Sequence, residues 1–157
     1  MKYSRLTKEQ FEELHLEFIN FLATQSITAE EWANIKKDKP EVAEQELDVF
    51  SDLVWEGVLK NIKFLEYMSP NQMHLFHCLK NEMRLIALKI KNESVDLTTT
   101  EGFDWLRNNL LSDDVEFFTA KKSYSEDKAL DKFKLIQQGA VITKGDLFKY
   151  FENLVSQ

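Results

Sequence analysis

Ile62-Lys63-Phe64-Leu65-Glu66-Tyr67-Met68 is followed by Ser69-Pro70-Asn71, then by Met73-His74-Leu75-Phe76-His77-Cys78-Leu79, by Lys80-Asn81-Glu82, and by Met83-Arg84-Leu85-Ile86-Ala87-Leu88-Lys89-Ile90. Apolar and aromatic side chains recur here at a period of two, and turn formers separate the runs. The stretch therefore reads as a three-stranded antiparallel meander. Leu85-Ile86-Ala87-Leu88 is apolar on both faces, which places the third strand inside a sheet rather than at its edge.

Working outward, the period changes to that of a helix on both sides. Upstream, one device recurs: an aliphatic residue, a threonine, an acid or amide three residues on, then an apolar residue. Leu6-Thr7-Lys8-Glu9-Gln10-Phe11, Ile27-Thr28-Ala29-Glu30-Glu31-Trp32 and, downstream, Ile142-Thr143-Lys144-Gly145-Asp146-Leu147 all carry it. The threonine hydroxyl accepts from the third helical amide and the apolar pair staples the entry, each cap contributing about 1 kcal/mol. Leu97-Thr98-Thr99-Thr100-Glu101 is a weaker fourth case, with Gly102 in the staple position. The spacing predicts helices over 7–23, 28–37 and 40–59, the last opened by Pro40 in its first turn.

Downstream, the pattern predicts a helix over 100–111, a strand over 115–121, and helices over 126–138 and 144–155. Gly139 is suited to a left-handed cap between the last two. The order predicts an α+β fold: a mainly antiparallel sheet, the three-stranded meander plus a fourth strand, covered by N-terminal and C-terminal helices. With 157 residues and 43% apolar side chains, the chain can bury one core, so residues 1–157 are expected to form a single domain.

The charge is unevenly placed. Residues 1–56 hold 13 Asp and Glu against 6 Lys and Arg, while residues 57–157 hold 14 against 14, so the first segment carries the whole net charge of −7. The helix starting at Pro40 is the densest part, with six carboxylates and no cation up to Glu56. Glu44, Asp48, Asp52 and Glu56 stand at steps of four and form one continuous ridge, with Leu47, Phe50, Val54 and Val58 as the main apolar stripe. Repulsion between like charges at that spacing costs a few tenths of a kcal/mol per pair. The helix dipole offsets it in the first turn but not at Asp52 and Glu56. Two readings are open: a face neutralised by distant lysines of the fold, or a ridge that docks a basic protein partner.

No metal site and no cofactor are expected. A transition-metal centre in a helical ridge wants His interleaved with the carboxylates, and no His lies between His15 and His74. Two ridge carboxylates could at most hold a hard cation such as Mg²⁺ or Ca²⁺. His74 and Cys78 share one strand face about 13 Å apart, at roughly 3.3 Å per residue, and His77 points the other way. These are expected to be structural side chains, with Cys78 buried and inert, and His15 is expected to be semi-buried beside the first helix's apolar face. The four glycines are too scattered to cradle a phosphate, and no nucleophile elbow or Cys-x-x-Cys occurs.

The element order also resembles the core order of the PD-(D/E)xK nucleases, which would need metal-binding carboxylates near the second strand and in an acid-x-Lys on the third. Asn71 and Ala87-Leu88-Lys89 stand at those places, so the resemblance implies at most a catalytically degenerate relative. A small enzyme of that kind is the alternative to an interaction module.

The acidic pI near 5.1 and the lack of clustered cations argue against nucleic acid as a partner. No membrane partner is expected, since the N-terminus lacks an apolar h-region and no long apolar run follows. One cysteine excludes an internal disulfide and fits a reducing, cytoplasmic setting.

Leu6-Thr7-Lys8-Glu9-Gln10-Phe11, Phe18-Ile19-Asn20-Phe21-Leu22-Ala23, Ile27-Thr28-Ala29-Glu30-Glu31-Trp32 and Val49-Phe50-Ser51-Asp52-Leu53-Val54-Trp55-Glu56 together resemble an uncharacterised family of small cytoplasmic proteins from Bacteroidota. The resemblance is best over the first 60 or so residues. It implies a bacterial cytosolic protein of similar size and carries no functional residue with it. The expected function is that of a non-catalytic acidic interaction or regulatory module presenting the ridge Glu44, Asp48, Asp52 and Glu56.

Overall fold

In the computed structural model, which describes residues 1–156, the meander forms as three paired strands, β1 (Phe64–Ser69), β2 (Gln72–Cys78) and β3 (Glu82–Ile90). The fourth strand, β4 (Val115–Ser123), adds antiparallel to β3, with Ile86 opposite Thr119. A fifth, β5 (Val141–Ile142), adds antiparallel to β1 and was not expected from the sequence. The order across the sheet is β4-β3-β2-β1-β5, so β3 is interior, as its two-sided apolar run predicts.

Alternation fixes the two faces of this sheet. Phe64, Met73, Leu75, Ile86, Leu88, Ile90 and Val115 face one way and form a single buried cluster with Leu106 of α5 (Thr100–Asn108) and Phe148 and Phe151 of α7 (Asp146–Val155). Met73, Leu75 and Leu88 are at most 1% exposed. Burial of each such side chain contributes about 1.5–3 kcal/mol. The opposite face is partly covered by α6 (Lys128–Gln137), whose Lys132 is buried and donates from Nζ to the carbonyl of Ile62 at 3.1 Å.

The structure divides the chain into two compact units, Met1–Lys60 and Asn61–Gln157. The sheet with α5, α6 and α7 makes up the second. The first is helical: α1 (Lys8–Glu13), α2 (His15–Thr24), α3 (Ala29–Asp38) and α4 (Pro40–Asn61). Its centre is aromatic, with the Phe18 ring 5.0 Å from Phe50 and 5.3 Å from Trp32, and Phe21 5.4 Å from Phe50.

Several boundaries differ from the sequence expectation. The first helix is two, because Leu14 leaves helical geometry at φ −99°, ψ 25°, and His15 starts α2 on the exposed side rather than half-buried. Thr7 and Thr28 cap as expected, Thr7 in a complete box with Gln10. The cap of α5 is Thr99, since the Thr98 hydroxyl donates instead to Asp96. That helix stops at Asn108, and the side-chain amide of Asn109 donates to the Trp105 carbonyl at 2.7 Å.

At α7 the threonine device does not form. Gly145 is itself the cap residue, at φ +84°, a left-handed conformation that glycine adopts at no steric cost. Its amide donates to the Thr143 hydroxyl, and Ile142, expected as a staple residue, belongs to β5. Gly139 does take the left-handed cap after α6, at φ +111°. On α4 the buried positions are Ala43, Phe50, Ser51 and Leu59, while Val58, expected in the stripe, is 41% exposed. No helix among the described residues is long and apolar enough to cross a membrane.

Candidate functional site

The four ridge carboxylates stand in line on α4 as their spacing dictates, and the line is covered by the chain's own residues 2–6. This segment runs antiparallel to the helix. At one end the backbone N–H groups of Lys2 and Tyr3 donate to the two oxygens of Asp52, at 2.7 and 2.9 Å. The Lys2 ammonium and the Tyr3 hydroxyl both donate to Glu56, at 3.1 and 2.6 Å. At the other end the Arg5 guanidinium forks, donating from Nε to Asp48 at 2.7 Å and from Nη1 to Glu44.

Between these contacts the segment is keyed to the helix by two uncharged bonds, one of them relayed within α4. The Trp55 indole donates to the Ser4 carbonyl at 3.0 Å. The Leu6 amide donates to the hydroxyl of Ser51 at 3.1 Å, and that hydroxyl donates to the Leu47 carbonyl at 2.7 Å. Tyr3 and Leu6 are buried at 7% and 8% exposure, whereas the side chain of Glu44 is 58% exposed. The ridge is thus held from above by a strip that is apolar inside and basic outside.

The lengths match. Three residues of extended chain from Lys2 to Arg5 span about 10 Å at roughly 3.3 Å per residue. Eight residues of helix from Glu56 to Asp48 span about 12 Å at 1.5 Å per residue. Hydrogen bonds to Asp48 first, then to Glu44, raise the Arg5 pKa above its usual value. Burial, then the bond to Glu56, pushes the Tyr3 phenol up. The sequence expectation looked to distant lysines for neutralisation, but the cations come from residues 2 and 5, aided by two main-chain amides.

The remaining ligand-type side chains are not gathered. His74 and Cys78 share the face of β2 that looks towards α6, and His77 the opposite, core face, as alternation predicts. The His77 ring stacks on Phe64 and meets Phe148 edge-on, and its Nδ1 has no hydrogen-bond partner among the described residues. Burial is the main cause that lowers its pKa. Burial likewise raises the Cys78 thiol to about 11. Asn71 lies in the β1–β2 turn; Ala87 and Lys89 share one face of β3, where Ala87 stands opposite His74 and Phe118, and Lys89 opposite Gln72 and Glu116. Among the described residues no group of three or more His, Cys, Asp or Glu could hold a metal ion.

The sheet unit carries cavities on both faces of the sheet. An apolar cleft of about 500 Å³ lies between α5 and α7, lined by Phe103, Leu106, Leu147, Tyr150 and Phe151 with Arg107 beside it. A smaller one of about 250 Å³ lies between Tyr67, His74 and Phe76 of the sheet and Leu135 of α6 with its cap residue Gln138.

Sequence reading missed the strip itself. Its signal was present: Lys2 and Arg5 alternate with Tyr3 and Leu6 immediately before the Thr7 capping box. The chain belongs to a family of unknown function, DUF6495, whose model matches residues 1–156. Neither a curated protein nor a solved structure is significantly similar to it.

Proposed function

We propose that this member of the DUF6495 family is a non-catalytic protein-interaction module whose α4 ridge, Glu44, Asp48, Asp52 and Glu56, accepts an extended basic segment. Residues 2–6 are the resident occupant, and a basic segment of a protein partner takes their place. The observation that carries this reading is the way Asp52 receives two successive main-chain N–H groups while flanking carboxylates take cations. That combination recognises an extended backbone as well as its charge, which is how grooves hold peptides. A bacterial cytosolic setting fits the lone, buried Cys78, whose thiol a reducing compartment would leave unpaired.

A doubly reversed chain, Lys2→Glu with Arg5→Glu, opens the ridge and provides the test. Fluorescence anisotropy with a labelled peptide of residues 1–7 should show salt-sensitive binding to this variant and much weaker binding to the wild type. Adding Asp48→Lys and Asp52→Lys should abolish it. A folded, opened variant that binds no basic peptide at low salt would sink the proposal.

A further inference from the structure

The two edges of the sheet are managed differently. β5 closes one edge with only two residues, whereas β4 leaves the other open over nine, and its last six residues are exposed. The outward N–H and C=O groups of such an edge are a template for another strand. Phe118, 51% exposed, and Ala120 lie along it on the same face as Glu116 and Lys122. Thr119 and Lys121 lie on the other face, beside a cavity of about 390 Å³ walled by Phe148, Glu152 and Val155 along one side of α7.

We infer that β4 pairs antiparallel with β4 of a second copy about a two-fold axis at Thr119, making one continuous ten-stranded sheet from two chains. Charge complementarity within the strand itself selects this pairing. It carries its acid at the start, Glu116, and its cations at the end, Lys121 and Lys122. A two-fold at Thr119 sets Glu116 opposite Lys122 of the second copy, twice, and Phe118 opposite Ala120, twice. All nine residues are then paired.

Other pairings are disfavoured by the same residues. A two-fold centred on Lys121 puts lysine against lysine, and a parallel alignment stacks every lysine on its own copy. Glu116 already holds the Lys91 ammonium at 2.8 Å and can take a second cation, since a carboxylate offers several acceptor positions. The axis also draws the second copy's strand across the open side of the cavity beside Thr119 and Lys121.

Sedimentation equilibrium on the full chain, from micromolar to millimolar concentration, tests this. The wild type should be a dimer. Lys122→Glu and Glu116→Lys each turn two attractive pairs into repulsive ones, and each should weaken dimerisation about tenfold or more. An equimolar mixture of the two variants restores both pairs and should recover the dimer. Circular dichroism matching the wild type keeps misfolding apart from dissociation. A wild type that stays monomeric, a folded Lys122→Glu chain as dimeric as the wild type, or a mixture that stays monomeric would each overturn the inference.

Discussion

The imidazole of His77 lies parallel to the ring of Phe64, with 4.3 Å between centroids and 13° between planes, and Phe148 meets it edge-on at 5.2 Å. Packing against two apolar rings takes the imidazole out of water and so disfavours its charged form. Glu152 favours its charged form, but burial, Arg84 and Lys149 oppose it.

A lowered pKa in the folded state makes stability depend on pH. Above the unfolded value near 6.5 both states are neutral and the full stability is present; as pH falls from there towards the folded value, the unfolded state binds the proton first and stability drops. Glu66 acts in the opposite sense, because burial raises its pKa above 4.5, so stability drops as pH rises from there to its folded value. Denaturant midpoints measured in steps from pH 4.5 to 7 should therefore lose their acid-side decline in His77→Phe and their opposing trend in Glu66→Gln.

Gly102 sits in α5 where an added Cβ would fall 1.7 Å from the carbonyl oxygen of Asp96. Alanine normally stabilises a helix interior by about 1 kcal/mol over glycine. Here it must displace backbone, so Gly102→Ala should destabilise by about 2 kcal/mol or more, read as a lower urea midpoint.

The ridge contacts should divide by burial. Asp52→Ala removes the carboxylate that receives the Lys2 amide and the part-buried Tyr3 amide and should cost about 1–3 kcal/mol. Glu44→Gln removes only one arm of an exposed fork and should cost less than about 1 kcal/mol. Equal losses in urea melts of the two variants would contradict the keyed strip.

Cys78 should be chemically silent. With its pKa at about 11, only about a thousandth of it is thiolate at pH 8. Its reaction with a thiol reagent should be slow in the native chain and complete within the mixing time in strong denaturant.

The sheet was legible because its signal is local. Period two, the Ser69-Pro70-Asn71 turn and the two-sided apolar run of β3 each reflect physics within a few residues. β5 was not legible, since two residues carry no period and Ile142 also fits a staple. The α7 cap was misread for a related reason: a threonine at the right spacing does not reveal that the chain turns left-handed at Gly145. The ridge could be drawn from the four-residue step alone, but what covers it lies about 45 residues away. No local rule connects Arg5 to Asp48, and only the count of scarce cations beside apolar residues hints at it.

Those separations have a kinetic meaning. Closing a loop of about 45 residues costs roughly 3 kcal/mol in chain entropy before any contact compensates for it. The α4 turns, by contrast, need only neighbours four residues apart. Docking of residues 2–6 thus belongs after the folding barrier, and substitutions at Lys2 or Arg5 should alter the unfolding rate while leaving the folding rate nearly untouched. During synthesis the basic strip leaves the ribosome before the ridge does and waits some forty residues for its acidic counterpart.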